Sequence, residues 1–231
     1  MDKPPDSIES YLEIGTKRIF AGALEWPGWC RSGRDEAAAL QALVDYAPRY
    51  ARAIASARLP FHAPEAVSAL VVVERLKGGG GTDFGAPEMA PAWDAQTLDY
   101  AGLRRLEALL RACWQAFDAA RRQAVGKALL KGPRGGGREL DAIAWHVQNA
   151  EQSYLSRIGW KVDNRNESDL DAALSQTRQA SLDALAAIVA DPGAMPTRGP
   201  RGGARWTPRY FVRRMAWHAL DHAWEIEDRA K

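Results

Sequence analysis

His218 and His222 are the residues of this 231-residue chain best placed to do chemistry. In the stretch from Arg209 to Asp228, the apolar side runs Phe211, Met215, His218, His222 and then Glu225 or Ile226. These positions are three and four apart, so one helix face carries both imidazoles inside a stripe meant for a core. Burying an imidazole without a partner costs free energy, and a divalent metal is one partner that satisfies both rings. A catalytic metal site takes three protein ligands and keeps a further position open, so a third donor is the next requirement.

The chain holds two other histidines. His62, in Leu59-Pro-Phe-His-Ala-Pro64, has no partner at ligand spacing and reads as structural. His146 lies between Ile143 and Ala150 on the apolar stripe of an earlier helical stretch, residues 139–158. An α-helix rises about 1.5 Å per residue, which puts His146 roughly 10–12 Å from the start of its helix. By the same measure, His218 and His222 lie roughly 16–22 Å from the start of theirs. In an up-and-down chain of four helices, the second and fourth run the same way, and these depths let the three rings share one layer. Three imidazoles on two inward faces leave room for water or a substrate atom on the metal. Neutral imidazole suits zinc, nickel, iron(II) or copper, and the residues do not choose among them.

The elements expected to hold these side chains follow from apolar periodicity. Residues 97–129 carry Leu98, Leu103, Leu106, Leu110, Cys113, Trp114 and Phe117 near helical spacing, ended by Lys131-Gly-Pro-Arg-Gly-Gly-Gly-Arg138. The helix over 139–158 closes at Gly159. A third begins at Asn166 or Ser168, carries Leu170, Leu174, Leu182, Leu185 and Val189, and stops at Asp191-Pro-Gly193. Thr207-Pro208 is a good N-cap and first-turn pair for the fourth. Four helices joined by short loops read as a four-helix bundle.

The first eighty residues read differently. Tyr11, Ile14, Ile19, Phe20 and Leu24 predict a β-hairpin turning at Gly15-Thr16-Lys17. A Pro-Gly break over Glu25 to Cys30 leads to a helix capped within Ser32 to Glu36, interrupted at Pro48, and Val67 to Glu74 is the expected third strand. The predicted fold is therefore mainly α: a small α+β domain over 1–80, a glycine- and proline-bearing linker over 81–95, and a four-helix bundle over 96–231.

Trp145-His146 together with Trp217-His218-Ala-Leu-Asp-His222-Ala-Trp-Glu225, set on the second and fourth helices, resembles the DinB superfamily across about residues 95–231. That resemblance implies a divalent metal held by His146, His218 and His222. It also implies thiol chemistry, in which bacillithiol, mycothiol or glutathione serves S-transferases and isomerases. The expected activity is thus a metal-dependent thiol S-transferase or a related transferase or hydrolase, with a small molecule or thiol as its partner. Trp26-Pro-Gly-Trp-Cys30, followed by Gly33-Arg-Asp-Glu36, resembles HicB-like domains, which are protein-interaction modules. It departs from them in the extra Trp29 and in Arg34. The rival function is a non-catalytic bundle stapled by metal, with the HicB-like domain mediating partner binding or homodimerisation.

Glu225, one turn beyond His222, is the candidate to hold a ligand imidazole from behind; Glu151 is a weaker one, and Asp221 reads as a solvated position. Arg134, Arg138, Arg198, Arg201 and Arg205 sit in two glycine-rich loops expected at the same end of the bundle, where they form a rim suited to carboxylate or phosphate. The net charge of +2 argues against a dedicated nucleic-acid binder. Cys30 and Cys113 are too far apart to suggest a disulfide framework, and a reducing cytoplasm is the expected compartment. Neither a secretory h-region after the acidic, proline-bearing N-terminus nor an 18-residue apolar run is found.

Overall fold

β1 (Ile8–Ile14) and β2 (Ile19–Ala23) pair antiparallel from Ser10 opposite Ala23 to Ile14 opposite Ile19, the hairpin expected from their alternation. The computed structural model describes residues 7–131, 137–162, 167–191, 193 and 205–231. They form two compact units, Met1–Gln96 and Thr97–Lys231.

In the first unit, β3 (Cys30–Gly33) adds antiparallel to β2, and β4 (Leu70–Lys77) adds parallel to β1, giving the order β3-β2-β1-β4. β3 was not expected; four residues of Cys-Arg-Ser-Gly show no alternation, and pairing with β2, burial of Cys30 and the bond from Arg18 to the Ser32 hydroxyl at 3.0 Å recruit them. Between β3 and β4 lie α1 (Glu36–Asp45) and α2 (Ala47–Ala53). Asp35 caps α1 by accepting from the Ala38 N–H at 2.8 Å. The core gathers on Trp29, which stacks on Tyr50 at 5.8 Å and donates its indole N–H to the Leu43 carbonyl at 2.8 Å. Tyr50 donates its hydroxyl to the Pro27 carbonyl at 2.9 Å. The turn before Trp29 needs Gly28, whose φ of 94° a side chain rarely adopts.

The stretch expected as a flexible linker is folded onto this unit. α3 (Gly80–Phe84) and a 3₁₀ turn at Ala92–Ala95 lie within it. The cause is Glu13, fully buried on β1. Its carboxylate accepts from the Thr82 hydroxyl and from the backbone N–H groups of Glu88 and Met89. A buried carboxylate needs such donors, and the glycine-rich return supplies them.

The second unit is four long helices around one core: α4 (Tyr100–Ala124), α5 (Leu140–Arg157), α6 (Leu170–Ala190) and α7 (Pro208–Arg229). Side-chain caps start three of them: Asp99 on Gly102, Asp169 on Asp171 and Ala172, and Thr207 on Tyr210. Leu109, Leu110, Phe117, Ile143, Leu155, Leu185 and Phe211 fill the interior with no exposed surface. Among the described residues no helix is long and apolar enough to cross a membrane.

The helix directions differ from the simple up-and-down expectation. α4 and α7 run parallel: Arg209 bonds the Thr97 carbonyl at their starts, and Leu130 N–H bonds the Arg229 carbonyl at their ends. α5 runs against α7, since Arg138 before α5 meets Arg229 at the end of α7, while Tyr154 meets Arg214.

Candidate metal centre

Because α5 and α7 are antiparallel, depth is measured from the start of one and the end of the other. His146 lies six residues after Leu140, and His222 lies seven before Arg229. The layer predicted from the sequence forms, by a different helix geometry from the one that predicted it. One ring nitrogen from each of His146, His218 and His222 lies within 4.8 Å of those of the other two. Ring centroids are 4.6 Å apart for His218 and His222, 4.9 Å for His146 and His222, and 5.1 Å for His146 and His218. The Nε2 atoms of His146 and His218 stand 3.3 Å apart. His218 and His222 are buried, while His146 is half-buried and forms the accessible side.

Glu225 stands behind the trio as expected. Its Oε2 is 2.7 Å from His222 Nδ1, which fixes the proton on that nitrogen and turns the Nε2 lone pair toward the other rings. The other oxygen accepts from Arg229 Nη1 at 2.6 Å. The hydrogen bond with His222, together with Arg229, holds the Glu225 carboxyl below its ordinary range, so it is a carboxylate at neutral pH. Arg229 also donates to the Leu130 carbonyl at 2.6 Å and the Arg138 carbonyl at 2.9 Å, tying the chain before α5 to the end of α7.

The electrostatics keep His146 and His218 unprotonated. Burial, then His222 and the Arg138 guanidinium, push His146 down to about 4 against a smaller pull from Glu225. Burial, His222, His146, Arg214 and Arg138 drive His218 well below the ordinary value. Neutral imidazole is the form that ligates. Imidazole nitrogens that converge in a largely buried layer are costly without a partner between them. The donor set therefore fits a borderline divalent cation, with nitrogen ligands only and an accessible side at His146.

The expected arginine rim is corrected. Arg138 does lie near the trio, since its charge acts on both His146 and His218. Arg205 does not: its Nε donates to the Ile158 carbonyl at 3.1 Å, at the other end of α5. The 18 residues of α5 separate the two ends by roughly 27 Å. The antiparallel run of α5 against α7 is the reason, because it sends the loops before them to opposite ends. Arg134, Arg198 and Arg201 lie outside the described residues. Glu151 is also elsewhere, bonded to Arg178 at 3.3 Å.

Tyr154, Arg214 and Arg229 are neighbours of the trio that the sequence reading did not single out. Tyr154 places its ring 5.7 Å from that of His218, and Arg214 donates to its hydroxyl at 3.3 Å. Arg214 lies over the Trp217 ring at 4.8 Å. Arg214 is four residues before His218 and Arg229 four after Glu225, so helical spacing from the histidines was the available signal. Comparisons with protein-family models, curated proteins and solved structures give no match, so geometry and chemistry carry the assignment.

Proposed function

We propose that the second unit is a DinB-like metal-binding bundle in which His146, His218 and His222 hold one divalent ion, and that the protein is a metal-dependent thiol S-transferase or a related transferase or hydrolase. The observation that carries this is the meeting of three imidazoles within 4.8 Å, with His222 oriented by Glu225. When bound, the ion supplies a Lewis acid that lowers the pKa of a thiol or a water. The chain's own part is to hold His146 and His218 neutral, to orient His222 through Glu225 and to leave one side accessible at His146. Tyr154 and Arg214 border that layer as a hydroxyl donor and a cation, which suits a polar or anionic reactant. Cys113 is no nucleophile: it is fully buried, and burial pushes its thiol far up. The hairpin, Trp-Pro-Gly turn and capped helix of the first unit support the HicB-like reading of that part as an interaction module.

Metal analysis of purified protein is the first test, with about one equivalent of zinc, nickel or iron expected and loss in His146→Ala. Conjugation assays with bacillithiol, mycothiol and glutathione follow. Metal-loaded protein inert towards every thiol and hydrolase substrate would favour the non-catalytic, metal-stapled bundle instead.

A further inference from the structure

α4 and α6 bound a groove of about 480 Å³ whose lining includes none of the three histidines. Such a volume suits a small ligand. Four guanidiniums line it, from Arg111, Arg121, Arg122 and Arg178, against two carboxylates, Asp118 and Asp171. Both acids are already engaged. Asp118 accepts twice from Arg178 Nη1, at 2.8 and 3.0 Å, and Asp171 accepts from Arg121. Among the described residues, Arg111 and Arg122 have no ion-pair partner, and both are exposed on one face of α4. The groove is thus left with a surplus of positive charge.

Its deeper wall is polar and incompletely satisfied. Arg178, which lines the groove, leaves Nη2 buried with no partner. Behind Arg178 lies Glu151, with no exposed surface; its Oε2 takes Arg178 Nε at 3.3 Å, and its Oε1 has no partner. Trp114 N–H faces that carboxyl without closing a hydrogen bond. Burial outweighs Arg178 in raising the Glu151 carboxyl above its ordinary value. Water alone satisfies orphan donors but leaves the charge surplus standing. Guanidinium forks match planar and tetrahedral oxyanions.

We propose that the groove between α4 and α6 binds a small, multiply charged oxyanion, a phosphate-bearing or polycarboxylate molecule, seated against Arg178 and Arg122, with Arg111, about 16 Å further along α4, adding to the positive field of the groove. It is a second site, separate from the histidine layer and independent of whether that layer holds metal.

Isothermal titration of the full chain with inorganic phosphate and with succinate, at constant ionic strength held by sodium chloride, tests it. Saturable binding of at least one anion is expected. Arg111→Gln/Arg122→Gln alters only exposed side chains, so it should keep the thermal midpoint while weakening the affinity at least about ten-fold, or 1.4 kcal/mol. His146→Ala should leave anion binding intact. No saturable heat beyond the chloride control overturns the proposal, as does undiminished affinity in the double variant. Loss of binding in His146→Ala also overturns it, because the anion then sits at the histidine layer.

Discussion

Glu225 divides its two oxygens between His222 and Arg229, so its effect on the histidine layer is orientation rather than direct ligation. Glu225→Gln keeps the shape but removes the charge that favours a proton on His222 Nδ1. Losses of this kind typically weaken metal affinity about 10–100-fold. Competition with a chelating dye should show that drop with stoichiometry unchanged, and an unaltered affinity would remove Glu225 from the site. Glu151 is the other informative carboxyl. Its folded pKa is raised by burial, so the folded state binds its proton more tightly than the unfolded chain does. Stability contributed by that proton is present at low pH and is lost as pH rises above about 4.5, the ordinary value. Glu151→Gln mimics the protonated form, so the stability of the variant relative to the native chain should rise between pH 4 and pH 7. Denaturant titrations across that range check the sign; a relative fall would mean that the ion pair with Arg178 outweighs burial.

α7 does two jobs at the scale of elements: it carries two of the three histidines, and its last residue locks the chain before α5 in place. Arg229 is buried, with bonds to Glu225, Leu130 and Arg138. Lysine cannot reach three acceptors with a fork, so Arg229→Lys should destabilise the fold by about 3 kcal/mol, as breaking buried pairs does. It should also weaken metal binding, because the carboxylate behind His222 loses its restraint. Thermal unfolding and metal titration of the same variant read both effects. α1 offers a simpler case. Removing its N-cap through Asp35→Ala should cost about 1 kcal/mol and leave metal content untouched. A change in metal content would show that the first unit has a role in the site.

At the scale of the whole molecule, the trio and its supports all belong to the unit Thr97–Lys231. A ligand that binds only the folded state stabilises it by about 2.7 kcal/mol at a hundred-fold excess over its dissociation constant. That stabilisation should be local. Hydrogen exchange with and without zinc should show slowed amides in α5 and α7 and unchanged amides in β1 to β4. Equal protection throughout would show that metal acts on the chain as one cooperative body.

Much of this was legible from one-dimensional spacing. His218 and His222 share a helix face because they are four apart, and His146 faces inward because Ile143 and Ala150 flank it on the same stripe. Local rules also sufficed for the hairpin, for Asp35 and Thr207 as caps, and for Glu225 one turn past His222. Tertiary structure alone decided what depends on distant partners. β3 exists because β2 offers a backbone edge, and the stretch after β4 is ordered because Glu13 is buried and needs donors. Above all, spacing along a helix says nothing about which neighbour it meets or in which direction it runs. The antiparallel pairing of α5 with α7 kept the three histidines in one layer yet sent Arg205 to the far end, since periodicity is local and packing direction is set by the whole core.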